Sequence, residues 1–240
     1  MLRRMDAVRR AEAPAAPPPP RRAGGGFQLA LAGAERAPAA ARPGSLAAPW
    51  EAAPNPAFRA RIAAAERSAE HPNHGYGQVN PRSGALGRYQ FLPSTLVDLG
   101  WKDASGAWTA RAGVRSDEEF LRSPLAQEAA FTAFLRRVET QLDRNGALAR
   151  QGGTLRGLDG QEVPLTEGGL VAAAHRRGAG LLARWLQHRT ETPDAPLRPA
   201  QRRAFEAVER RLRDFAQVDY ASLRAPPRVP VAPFLLLNQS

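Results

Sequence analysis

The chain has 240 residues, a formal charge of +11 and no cysteine, which excludes disulfides and Cys-ligated zinc. No run approaches the ~20 apolar residues of a membrane span. The charge divides as +4 over residues 1–56, +4 over 198–240 and +3 between them. Basic flanks attract any polyanion, from nucleic acid to an anionic cell wall. Every positive charge except Lys102 is arginine, and the flanks lack interleaved aromatics or a nucleic-acid fold signature, so no specific nucleic-acid partner is expected.

Residues 1–56 read as a disordered arm. Pro17–Pro20 favours extended polyproline, Gly24–Gly26 is a joint, and the remainder is mostly Ala, Pro and Arg, too little apolar surface to offset the entropy of ordering. Arg3, Arg4, Arg9 and Arg10 precede AEAPAAPPPP rather than an apolar core, and FQLALAGA lies too far in and is too short for a clear signal peptide.

Phe58, Ile62 and Glu66 recur at helical spacing, the Ala63–Ala65 run favours helix, and Pro72 cannot continue it. Glu66 and Glu70 are then expected one turn apart on one face, near the negative end of the helix dipole. Such a pair gains nothing on a surface helix. It favours a carboxyl that keeps its proton, as a general acid requires. The alternative is a pair of solvated glutamates screened by Arg59, Arg61 and Arg67.

Residues 71–87 read as a loop, punctuated by Asn73, Gly75, Gly77, Asn80, Pro81, Gly84 and Gly87. Its amides suit sugar hydroxyls and N-acetyl groups, and Tyr76 and Tyr89 are candidates to stack on sugar faces. A short helix is expected over Leu92–Leu99, with Pro93 near its start and Gly100 after it. Trp101 and Trp108 flank a turn and are expected to pack on the domain.

Phe120–Leu142 is expected to be the longest core helix, with Ser123-Pro124 as cap and first turn, an apolar stripe from Phe131 to Leu142, and Asn145-Gly146 at its end. Asp159-Gly160 between Thr154–Leu158 and Gln161–Leu165 signals a hairpin with a type I′ turn. Leu170–Leu186 reads as helix broken near Gly178-Ala179-Gly180, with His175 just before the break. Pro199–Val218 reads as an amphipathic helix with a Phe205, Val208, Leu212, Phe215 stripe, able to dock on the domain or on a protein partner. The Pro-broken tail ends in Phe234–Leu237, a possible docking peptide.

No phosphate loop, nucleophile elbow or metal-binding helix is present, and no cofactor or metal is expected. An acid-bearing helix, a polar loop and a Gly-x-Tyr-Gln turn remain. With Asn80-Pro81, Gly84-Ala85, Gly87 and Tyr89-Gln90, followed by PLAQEAAF at 124–131, VPLTEGGLVAAAH at 163–175 and RGAG, the chain resembles lytic transglycosylases and related lysozyme-like, phage-type peptidoglycan hydrolases. The resemblance covers roughly residues 58–186. Two positions depart from the family pattern. Glu66 is followed by Arg67 and then Ser68 rather than directly by Ser, and His175 stands where the family has Tyr or Asn.

The resemblance implies a mostly α, lysozyme-like α+β fold with one small β-hairpin. The expected layout is an arm at 1–56, a transglycosylase-like domain at 57–197, a C-terminal helix at 198–220 and an apolar tail at 221–240. It implies cleavage of the β-1,4 bond between N-acetylmuramic acid and N-acetylglucosamine in peptidoglycan strands, by one glutamate acting as acid and then base, with a 1,6-anhydro product. The acid is Glu66 by helix position and Glu70 by spacing to Gln90. The implied substrate contacts are Asn80, Gly87, Tyr89, Gln90 and His175, with Tyr76 beside them. No second carboxylate has a clear role in the loop, whereas conventional glycosidases need one. A hydrolytic muramidase on the same fold and a non-catalytic wall-binding or phage-tail-like protein are the alternatives. Either enzyme would act in the periplasm or at the cell wall after delivery by another system.

Overall fold

The computed structural model describes residues 47–224. The readings of the arm before residue 47 and of the tail after residue 224 lie outside the described residues. The fold is mostly helical with one small antiparallel sheet: α1 (Pro56–Ala65), α2 (Pro93–Asp98), α3 (Asp117–Arg122), α4 (Pro124–Arg144), β1 (Thr154–Arg156), β2 (Glu162–Pro164), α5 (Glu167–Arg177), α6 (Ala179–Glu191) and α7 (Pro199–Asp214). Among the described residues no helix is long and apolar enough to cross a membrane.

The long helix predicted from Phe120 is divided at Ser123, and α4 is the longest helix. The Ser123 Oγ accepts from the Ala126 N–H while Pro124 takes the first turn, so Ser123 ends α3 and caps α4 at once. The apolar side of α4, from Ala126 through Phe131 and Leu135 to Leu142, is buried against α5 and α6. The predicted break between the two later helices falls at Gly178.

The hairpin forms with Arg156 opposite Glu162, but its turn is not type I′. Gly160 is the one residue of its loop with positive φ, at 79°, and its N–H bonds back to the Gly157 carbonyl at 3.1 Å. A type I′ turn needs two left-handed residues. Asp159 instead uses its carboxylate, accepting from the Gln161 N–H and from Arg213 of α7.

Two features bear on the boundaries read from the sequence. Of the two roles open to it, α7 docks on the domain: Phe205, Val208 and Leu212, with Phe215 just after the helix, are buried with the side chains of α5 and α6. The ordered unit also begins before residue 57. Trp50 covers the Arg88 guanidinium at 3.8 Å from its ring centroid, and Asn55 exchanges two hydrogen bonds with Ala221. The ends of the described chain are thus clasped beside α1.

Candidate functional site

A cavity of about 420 Å³ opens between the end of α1, the 76–91 segment, the start of α2 and the last turn of α5. Its lining includes Glu66, Arg67, Gln78, Asn80, Tyr89, Gln90, Phe134, His175 and Arg176. Among the described residues, Glu66 is the one carboxylate in that lining.

Helix α1 stops at Ala65 because the chain turns back on itself. The Ser68 N–H bonds to Ala63 O and the Arg67 N–H to Ala64 O, both at 3.0 Å. This is the paired closure of a Schellman motif, in which the residue after the cap is left-handed and usually glycine. Here that residue is Arg67, with φ 59°. Glu66 is therefore the cap rather than a mid-helix residue. Glu70 is not on the helix at all; it is exposed and does not line the cavity. The expected glutamate pair on one helical face does not form.

The charge neighbours of Glu66 are arginines. Arg211 Nη2 of α7 donates to Oε1 at 2.8 Å, and Arg176 Nη1 of α5 donates to Oε2 at 2.9 Å. The Glu66 side chain is 7% exposed, Arg211 9% and Arg176 59%. Burial pulls Arg211 below its ordinary value, and the Glu66 charge opposes that shift. His175 Nδ1 lies 3.9 Å from Oε1, too far for a hydrogen bond. Burial, with Arg211 and Arg176 alongside, pushes His175 down to about 3. The ring is neutral, packed edge-on against Phe131 and Phe134, and its approach to Glu66 is not an ion pair.

The loop before the Tyr-Gln turn is more ordered than its glycines imply. Leu86 is bridged on one side to Val79 and on the other to Phe91. Asn80 lines the cavity, and its Oδ1 accepts from the Arg82 and Ser83 N–H groups, which leaves its amide N–H groups for a ligand. Gln90 also lines the cavity, at a left-handed φ of 52°. Its Nε2 donates to the Gly87 carbonyl at 2.9 Å, leaving Oε1 as the acceptor. Non-glycine residues at positive φ are uncommon and cost about 1 kcal/mol or more. Arg67 and Gln90 both pay that cost on the wall of this cavity.

Gly87 does not line the cavity. A Cβ there would sit 2.0 Å from Gln127 Oε1, so glycine is required by close approach as well as by its φ of 71°. Gln127 is the post on which the turn is mounted: Oε1 accepts from the Arg88 N–H, and Nε2 donates to the carbonyls of Tyr76 and Phe120.

The two tyrosines are not free to stack on a sugar. Tyr76 is fully buried, outside the cavity lining, and its hydroxyl donates to Glu128 Oε1 at 2.6 Å. Tyr89 reaches the lining but is 1% exposed, with its ring stacked 3.8 Å from Phe131 and its hydroxyl 2.7 Å from the same carboxylate oxygen. Burial, reinforced by Glu128, pushes both hydroxyls up, so both remain protonated donors. Arg59 closes this network with Glu128 at 2.5 Å and Thr132 at 2.7 Å. Ser68 adds a further tie, its hydroxyl bonding the Arg88 carbonyl, so the end of α1 and the Tyr-Gln turn are fastened together.

Sequence reasoning thus brings Glu66, Asn80, Tyr89, Gln90 and His175 to one cavity, but not Glu70, Tyr76 or Gly87. It missed Gln127, Glu128, Arg176 and Arg211. Gln127 and Glu128 lie within PLAQEAAF, where adjacent polar residues inside an apolar helix signal buried partners. Arg211 carried no such signal, being one of several arginines on α7. No cluster of three His, Asp or Glu among the described residues is placed to hold a metal ion. Comparison with protein-family models, curated proteins and solved structures returned no match.

Proposed function

We propose that this protein is a lysozyme-like, lytic-transglycosylase-type enzyme that cleaves peptidoglycan strands, with Glu66 as acid and base. The observation that carries the reading is the isolation of one shielded carboxylate in a polar cavity that also presents Asn80, Gln78 and Gln90. A retaining glycosidase needs a second carboxyl about 5 Å away, and an inverting one about 6.5–9.5 Å away. Among the described residues no second carboxylate lines the cavity, and the direct partners of Glu66 are arginines.

The two carboxylate oxygens are not equivalent. Oε1 is held by the buried Arg211, whereas Oε2 meets the exposed Arg176. Oε2 is therefore the atom free to take up and pass a proton once Arg176 moves aside. It passes that proton to the glycosidic oxygen as the bond from that oxygen to the muramyl C1 breaks, and the sugar's own N-acetyl group stabilises the cation. The muramyl 6-hydroxyl oxygen then bonds to C1, and its proton returns to Glu66. No water is consumed, and the product is a 1,6-anhydro sugar.

A second reading has one observation in its favour. A glutamate bracketed by two guanidiniums is also what a purely structural ion pair looks like, in a protein that binds wall glycan without cutting it. Digesting purified sacculi and weighing the products separates the readings. Anhydro ends support the transglycosylase, reducing ends point to a muramidase on the same framework, and intact sacculi that retain the protein indicate the binding role.

A further inference from the structure

We propose that Arg176 receives a carboxylate of the substrate, and that by doing so it releases Glu66 Oε2. This rests on the glycan-cleaving reading and adds a selectivity to it: the cleft takes an acidic glycan in preference to a neutral one. The two guanidiniums on Glu66 have different characters. Arg211 is anchored, 9% exposed and packed at 4.9 Å from the Phe215 ring centroid. Alone it balances the Glu66 charge. Arg176 projects from the last turn of α5, is 59% exposed and lines the cavity mouth, so its charge is surplus to the pair.

A second cation points the same way. Arg67 also lines the cavity, from a left-handed position where glycine would be free of strain. The lining therefore carries two arginines against one glutamate, with Arg211 behind Glu66. A neutral sugar polymer offers nothing to that excess. A glycan with carboxylates does, because a guanidinium exchanges one carboxylate for another at little loss when both bonds are charge-assisted. The exchange explains how an acid so well held at rest becomes a proton donor: the ligand's carboxylate takes Arg176, and Oε2, no longer accepting from a guanidinium, takes up a proton from solvent and turns to the glycosidic oxygen.

In peptidoglycan the carboxylate comes either from the lactyl group of the muramyl sugar or from the stem peptide. Binding by calorimetry with the full chain distinguishes them through three probes: amidase-stripped strands with free lactyl carboxylates, peptide-bearing strands, and N-acetylglucosamine hexamer. The wild type is expected to bind at least one acidic probe about ten-fold or more tighter than the neutral hexamer. Arg176→Gln should remove most of that preference, losing clearly more affinity for the acidic probes than for the hexamer, and Arg176→Lys should restore part of it. Loss of preference for the stripped strands alone assigns the lactyl group, and for the peptide-bearing strands alone the peptide. An equal loss on acidic and neutral probes, or a wild type without preference, overturns the proposal while leaving glycan cleavage intact. A wild type that neither binds nor cuts any of the three removes both.

Discussion

Arg211 Nη2 lies 2.8 Å from Oε1 of Glu66, joining residues 145 positions apart in the chain. This bond ties α7 to the back of the site, behind the Glu66 carboxylate. It fixes Oε1 of the α1 cap and leaves Oε2 to the exposed Arg176. Both side chains are more than nine-tenths buried, so the pair is not screened as a surface ion pair is, and removing one partner strands the other.

Arg211→Met is accordingly expected to lower unfolding free energy by about 2–4 kcal/mol, as is Glu66→Gln. The double variant should cost less than the sum, with a coupling of about 2 kcal/mol. Urea denaturation of the four proteins measures it. Arg176→Gln, which alters the exposed partner, should cost under about 1 kcal/mol.

Glu128 serves three donors at once: Arg59, Tyr76 and Tyr89. Glu128→Gln leaves the Arg59 guanidinium buried without a counter-charge and turns part of an acceptor into a donor. A loss of about 3–5 kcal/mol is expected, with slower glycan cleavage in the surviving folded fraction because the Tyr89-Gln90 turn loosens. Thermal melts together with near-ultraviolet circular dichroism of the buried tyrosines report the loss of stability, and digestion rates divided by the folded fraction report the slower cleavage.

Acid sensitivity follows from His175. Its folded value of about 3 lies well below the ordinary 6.5, so below pH 6.5 the unfolded chain binds a proton that the folded chain refuses. The contribution of His175 is therefore complete above pH 6.5 and is lost progressively toward pH 3. Between pH 6.5 and 5 the loss reaches up to about 2 kcal/mol. His175→Gln should flatten the stability profile in that window, as measured by denaturation at successive pH values.

The parts of the fold legible in the sequence were those set by local chemistry. Ser123-Pro124 begins a helix wherever it is placed, Gly178 ends one, and Asp159-Gly160 closes a hairpin. The end of α1 was less legible. Stopping at Ala65 depends on Arg67 accepting a conformation that a side chain disfavours, and helical periodicity carried straight through to Glu70. The tyrosines were misjudged for a different reason. Their residue type suits sugar stacking, but Tyr76 and Tyr89 are claimed by Glu128, 52 and 39 residues away. Long-range partners of that kind leave no trace in local spacing. The same is true of Arg211, which nothing in the sequence set apart from the other arginines of α7.

The central claim, that Glu66 is the chemical acid, is tested most directly by sacculus digestion with the wild type, Glu66→Gln and Glu70→Gln. Each is assayed below its unfolding midpoint, and rates are divided by the folded fraction from circular dichroism. The expected result is anhydro-muropeptide release by the wild type and by Glu70→Gln within about three-fold of each other. Glu66→Gln should fall by about 10²–10⁴. A folded Glu66→Gln protein that releases anhydro ends at the wild-type rate would contradict the account.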